Sequence, residues 1–318
     1  MRILSQKDVR ACINMEQAIT LMKTAFIELS VGEGVVPVRH ILQNPNNKTT
    51  ALFMPASLPQ NNSLGLKVVG MNENNLDINL PLINAVILLL DTKTGTPITL
   101  MDASWITALR TGAGSGLATD LLARKDANTA VIFGVGVQAK TQLEAICAVR
   151  AISKVWVINR TISKIDAFCE EMTAKLDVEI VTGTLEHIKQ ADIICTATTA
   201  FEPLFQHNHL KEGAHINAIG AYTAEMSEVS PETIANSRLV VDRQDACLHE
   251  AGDIIKAMKG NYISKSDVNC ELGEVAAKVK SGRQNEHEIT VFKSVGNAAQ
   301  DLVVAQYVYK KATEKKLG

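Results

Sequence analysis

The stretch TAVIFGVGVQAKTQLEAICAV, residues 129 to 149, holds Gly134-Val135-Gly136-Val137-Gln138-Ala139, a G-x-G-x-x-G/A pattern that could seat a phosphate group. Gly134 would permit the tight turn, Gly136 would let backbone approach a pyrophosphate, and Ala139 would keep helix and sheet close. Glycine turns alone are common, so context matters. This one follows an apolar run, opens a helical pattern, and is followed about 25 residues later by the end of a second apolar run, the layout that puts pyrophosphate on a helix N-terminus. NAD-selective sites place Asp or Glu at that second end, where this chain has Asn159-Arg160-Thr161. An acid would repel a 2'-phosphate. Arg160 can stack on adenine and neutralise the phosphate, while Asn159 and Thr161 offer uncharged hydrogen bonds. The pattern predicts NADP(H), with NAD(H) tolerated.

Two cations stand out elsewhere. Lys67 interrupts the apolar run LGLKVVG, where strand alternation sends it away from Leu66 and Val68, either into a cleft or onto a wet face. Arg110 opens RTGAGSG, whose glycines lie inside an amphipathic segment rather than after a strand and so predict close helix packing. Its guanidinium could fork onto a carboxylate or phosphate, or join a surface ion pair. His207 and His209 form an H-x-H with no third ligand at useful spacing, so no metal is expected. His215 reads as the start of a buried strand, and His249, Glu250 and Asp253 as the solvated face of a helix.

These residues need a scaffold, and the hydrophobic pattern supplies one. Asn14 and Gln17 form a capping box ahead of the apolar face Met15, Ala18, Ile19, Met22, Phe26 and Leu29. Strand-like runs follow up to Asp102, the last two joined by TKTGTP as a β-hairpin, and residues 104 to 124 return to helix. From Asn128 onward TAVIFG, VWVINR, VEIVTG, ADIICTAT, AHINAIG and RLVVDR alternate with helical segments, which implies a parallel sheet covered by helices. A strand and a long helix end the chain, in ITVFKSVGNAAQDLVVAQYVYKKA.

At 318 residues the chain has material for two domains, and a net charge of -2 with no basic block beyond the short C-terminal KKATEKK favours neither nucleic acid nor membrane. Six scattered cysteines without a C-x-x-C pair read as small core residues in a reducing compartment. With neither an apolar leader nor a run of eighteen apolar residues, the expected location is the cytoplasm.

Taken in order, TALRTGAGS, GVGVQA, INRT, GAHINAIGA, VVDRQDACLHEAGD, ELGEV and TVFKSVGNAAQDLVVA resemble the ornithine cyclodeaminase and mu-crystallin family over nearly the whole chain, its ketimine-reductase branch above all. The resemblance implies an α/β protein in which a Rossmann-type parallel-sheet domain, residues 119 to 294, is inserted into an α+β substrate-binding and dimerisation domain, residues 1 to 118 plus 295 to 318. It implies a homodimer and a substrate seated between the domains. Carried onto this chain, Arg39 and Arg110 bind a substrate carboxylate and Lys67 is the active-site lysine. Val135, Gly136, Val137 and Gln138 fall at the pyrophosphate beside Gly134, Asn159 to Thr161 at the adenosine end, and Thr196, Ala197 and Thr198 in the loop after the fourth strand. Ile219, Ser294 and Gly296 come near the nicotinamide, and Arg110 and Thr111 also border the cofactor.

The departures narrow the substrate. Ornithine cyclodeaminases carry a Glu and an Asp for the distal amine, where this chain has Leu52 and Tyr222. An ammonium group would lose its partners there, at a cost of several kcal/mol. A neutral pocket suits a small cyclic imino acid: Δ1-pyrroline-2-carboxylate reduced to L-proline, or Δ1-piperideine-2-carboxylate to L-pipecolate, in proline metabolism or hydroxyproline degradation. Lys67 or a water would manage the proton. Competing readings within the family are a 3-hydroxyproline dehydratase, an ornithine cyclodeaminase, an alanine dehydrogenase and a non-enzymatic crystallin-like binding protein.

Overall fold

The computed structural model describes residues 1–78 and 80–318. The chain forms two compact units: Met1–Arg110 with Asn297–Gly318, and Thr111–Gly296. The first division falls inside the helix Ser104–Leu122, eight residues before the expected boundary at 118, and the second lies two residues after the expected start at 295.

The first unit is built on a six-stranded sheet. Its strands are β1 (Arg2–Leu4), β2 (His40–Asn44), β3 (Thr49–Leu58), β4 (Ser63–Met71), β5 (Ile83–Leu90) and β6 (Pro97–Asp102), in the order β1-β6-β5-β4-β3-β2. β1 runs parallel to β6 and the other pairs are antiparallel, including the expected β5–β6 hairpin. The Met15–Val31 helix starts on the reciprocal Asn14–Gln17 capping box and buries Ala18, Met22, Ala25, Phe26 and Leu29. It packs on the C-terminal helix Ala298–Glu314, which lies across β3, β4 and β5. Close approach needs a missing side chain: a Cβ on Gly65 would sit 2.3 Å from the Leu88 carbonyl oxygen and 3.3 Å from Leu302 Cδ2.

The second unit is an α/β Rossmann-type domain, inserted in sequence into the first. Its strands are β7 (Thr129–Phe133), β8 (Lys154–Ile158), β9 (Glu179–Thr182), β10 (Ile193–Thr196), β11 (His215–Ala218), β12 (Arg238–Val241) and β13 (Thr290–Lys293). They form one parallel sheet in the order β12-β13-β11-β10-β7-β8-β9. Helices cover both faces, so β10, β11 and β13 are buried along their whole length. Strand order reverses between β7 and β10, the switch point at which such sheets bind ligands beyond their C-terminal ends.

The glycines of RTGAGSG lie in the Ser104–Leu122 helix, and a Cβ on Gly112 would fall 2.4 Å from the Thr141 carbonyl oxygen. Helix packing therefore explains Gly112. One expectation fails here: Asp253, read as part of a solvated face with His249 and Glu250, is fully buried and pairs with Lys293 at 2.8 Å. A carboxylate with buried partners can face inward, and the sequence around Asp253 gives no sign of Lys293. The cysteines are all free, four of them buried, and Cys147 and Cys169 half-buried.

Candidate active site

In the first unit the alternation of β4 sends Ser63, Gly65, Lys67 and Val69 to the buried face and leaves Leu66 and Val68 half-exposed. Lys67 is therefore not on a wet face: it is 1% exposed, and its Nζ donates to Asp301 Oδ2 at 2.6 Å. Asp301 sits in the first turn of the Ala298–Glu314 helix, where the helix dipole favours an anion. Its other oxygen accepts from Arg110 Nε at 3.1 Å, and Arg110 Nη1 donates to Gln300 Oε1 at 2.6 Å. Since a guanidinium can only donate, the Gln300 amide is fixed with its oxygen toward Arg110. Arg39, half-buried just ahead of β2, lies close enough for its charge to act on Lys67.

Two cationic groups, Lys67 and Arg110, thus share the one carboxylate of Asp301, and the surplus positive charge of the pair calls for an anion. Burial pushes the Lys67 ammonium down to about 8; Asp301 opposes the shift, and Arg110 and Arg39 add to it. A lysine poised there can hold a proton at neutral pH and give it up readily. From sequence Arg110 reads either as a fork for a carboxylate or phosphate or as part of a surface ion pair, and the family resemblance implies substrate-carboxylate binding. The ion pair it forms is buried rather than on the surface: Asp301 takes its Nε edge and Gln300 its Nη1.

In the second unit the expected coenzyme residues, Thr111 apart, fall at the C-terminal ends of the strands or just beyond them. Gly134 ends β7 with φ +104°, and a Cβ there would lie 2.6 Å from the Ala197 carbonyl oxygen, so only glycine fits the switch point. Gly136 caps the Val137–Val149 helix without any side-chain hydrogen bond, and the space where its Cβ would be is open. Val135 and Gln138 are half-buried, Val137 is exposed and Ala139 is fully buried against the sheet. An uncapped thirteen-residue helix facing open space fits a diphosphate, and these residues are the ones that would hold it. Asn159, Arg160 and Thr161 follow β8; Asn159 Nδ2 donates to the Thr161 carbonyl at 2.8 Å, and Arg160 is exposed. Thr111 is buried in the Ser104–Leu122 helix.

Beyond β10, β11 and β13 the rim rests on buried acids that sequence reasoning missed. Thr196 is fully buried and its hydroxyl donates to Glu228 Oε2 at 2.8 Å; Thr198 donates both N–H and O–H to Oε1 at 2.7 Å. Ala197 is half-buried between them, and Ile219 is buried just after β11. Ser294 Oγ and the Gly296 N–H both donate to Asp242 Oδ2 at 2.7 Å, with Gly296 at φ +75°. Asp301, Asp242 and Lys293 each sit in or at the end of an apolar run, a signal that could have marked them; Glu228 lies in a polar loop and has no such mark. His215 is buried in β11, where burial pushes its imidazole down to about 3, so it stays neutral. Among the described residues no cluster of three or more His, Cys, Asp or Glu is arranged to hold a metal.

An anion-seeking cluster in one unit and a dinucleotide cradle in the other define a class of nicotinamide-dependent oxidoreductases. The chain belongs to the ornithine cyclodeaminase/mu-crystallin family, whose model matches residues 1–316. It is 40% identical to a Delta(1)-pyrroline-2-carboxylate reductase of Bacillus cereus, over 100% of this chain and 98% of that one. Among solved structures it resembles Thermococcus litoralis Delta(1)-pyrroline-2-carboxylate reductase in complex with NADH and L-proline, with TM-score 0.96, 43% identity, and coverage of 100% and 99% of the two chains. An archaeal alanine dehydrogenase dimer with bound NAD matches with TM-score 0.94 at 33% identity, covering 100% of this chain and 98% of that one.

Proposed function

We propose that this protein reduces Δ1-pyrroline-2-carboxylate to L-proline with a nicotinamide coenzyme, and accepts the six-membered homologue. The observation that carries this reading is the buried Lys67–Asp301–Arg110 cluster with Arg39 beside it, a carboxylate site with a proton-bearing amine. Arg39 and Arg110 would grip the substrate carboxylate and fix the ring. Lys67, held by Asp301, would supply the proton that the ring nitrogen gains as its C=N double bond becomes a single bond. When bound, the reduced nicotinamide supplies the hydride taken up by C2. Leu52 and Tyr222, in place of two acids, leave a distal ammonium group without a partner, which disfavours ornithine.

On the coenzyme side, Gly134 to Gln138 would hold the pyrophosphate and Asn159 to Thr161 the adenosine end. Exposed Arg160, with no acid at the end of β8, supports a preference for NADPH with NADH accepted. The relatives that bind NADH or NAD make NADH use the stronger rival. The exposed apolar residues Val35, Val38, Ile41, Leu42, Ile83 and Val86 in the first unit support a homodimer buried on that sheet. Free cysteines suit the cytoplasm. Among the described residues no helix is long and apolar enough to cross a membrane.

A spectrophotometric screen tests the reading: NADPH and NADH oxidation against five- and six-membered cyclic imino acids, pyruvate with ammonia, and ornithine. Fastest turnover with the cyclic imino acids is expected. The alanine dehydrogenase relative motivates the pyruvate arm, and turnover confined to that arm would replace this proposal with reductive amination.

A further inference from the structure

The second unit contains a fully buried carboxylate, Glu228, whose hydrogen bonds all come from neutral donors, with the charge of Lys293 acting on it as well. Glu228 Oε1 accepts from the Thr198 N–H and O–H, and Oε2 from Thr196 Oγ1, from the Gly220 N–H at 2.7 Å and from the Ala221 N–H at 3.2 Å. Five donors from two loops converge on two oxygens. Thr196 ends β10 and Thr198 lies just beyond it, and Gly220 and Ala221 follow β11, so a single side chain ties together the ends of adjacent strands. The loops touch closely enough that a Cβ on Gly220 would lie 2.3 Å from the Thr198 carbonyl oxygen and 2.4 Å from Glu228 Oε1.

We infer that Glu228 is a positioning residue for coenzyme binding, fixing the loops after β10 and β11 as one rigid rim for the nicotinamide half of the dinucleotide. This rests on the coenzyme reading above. The charge is essential to the arrangement, because an amide would keep one acceptor oxygen and turn an N–H2 group onto the donors that the other oxygen now accepts. Burial pushes the Glu228 carboxyl toward its neutral form, yet a proton on either oxygen would displace one of the five donors. Glu228 is itself anchored. Its N–H donates to Asp253 Oδ1 at 2.7 Å, the same oxygen accepts from Ser227 Oγ and the Val229 N–H, and Asp253 Oδ2 pairs with Lys293 at the end of β13. The support thus reaches a third strand end, beside Ser294.

The opposite rim provides a control. Asp192 is also buried, and it joins the start of β7 to the segment leading into β10 by accepting from the Asn128 and Thr129 N–H groups, Thr129 Oγ1, Arg124 and Lys211. Asp192→Asn should lower the melting temperature and leave coenzyme affinity within about twofold, because its donors lie at the wrong ends of the strands. Glu228→Gln should weaken NADH and NADPH binding, read by fluorescence titration, by about tenfold or more, the loss of one charged hydrogen bond. The imino acid KM at saturating coenzyme should hold. Thr196→Val deletes one donor at nearly constant shape and should weaken the coenzyme in the same direction by a smaller factor; it carries the test if Glu228→Gln does not fold. Coenzyme affinity unchanged in these Glu228 and Thr196 variants, with the unaltered protein binding normally, would overturn the inference alone. No dinucleotide binding by the unaltered protein would overturn the coenzyme reading and the inference together.

Discussion

Asp301 and Glu228 are both carboxylates with no exposure to solvent, and they are surrounded in opposite ways. Asp301 meets Lys67 and Arg110, so its one charge leaves the pair of cations positive and in need of an anion. Glu228 is hydrogen-bonded by backbone N–H groups and threonine hydroxyls alone, and the one cation that acts on it, Lys293, is itself paired with Asp253, so no surplus cation is left at the rim. A buried acid among cations tunes charge and proton state, whereas a buried acid among neutral donors sets shape. The comparison predicts that damage around Asp301 alters the chemistry and the grip on the imino acid, while damage on the rim alters the coenzyme.

The largest effect should come from Lys67→Met, which removes the proposed proton donor and is expected to lower kcat by about 10²- to 10⁴-fold while coenzyme dissociation stays unchanged. Unchanged turnover in single-turnover assays would take Lys67 out of the mechanism. Arg39→Gln removes one of the proposed carboxylate donors and should raise the imino acid KM about 10- to 100-fold without moving the coenzyme KM. A matching rise in both constants would erase the contrast between the two acids.

Asp301→Asn has a sign as well as a size. Of the three charges that act on Lys67, Asp301 alone favours its protonated form, so its loss lets burial and both arginines act unopposed. Lys67 would then lose its proton below pH 8 rather than near it, and the alkaline limb of the kcat/KM profile should move down by about one pH unit, with activity returning on acidification. A flat loss at every pH would mean that Asp301 only holds the fold. The smallest effect concerns the far end of the rim: Asn159→Asp should raise the KM for NADPH about tenfold and leave NADH nearly untouched, since only the 2'-phosphate meets the new charge.

Local patterns were legible where a residue's job is set by its immediate neighbours. The Asn14–Gln17 cap, the β5–β6 hairpin, the alternation of short apolar runs and the Gly134 turn are decided by propensity, period and left-handed backbone over a few positions. Alternation also showed that Lys67 faces away from Leu66 and Val68, but not what it faces.

What the sequence by itself determined is a set of elements and a family pattern: the parallel sheet with its glycine turn, the strand-rich flank, and the cations at 39, 67 and 110. What only the tertiary structure decided is the partnership of charges. Lys67 and Asp301 are 234 positions apart, Arg110 and Asp301 191, and Glu228 reaches back 32 to Thr196, so no periodicity connects them. Asp253 shows the cost of reading polarity locally: burial of a charge depends on whether a distant partner arrives, and that is a property of the packed chain.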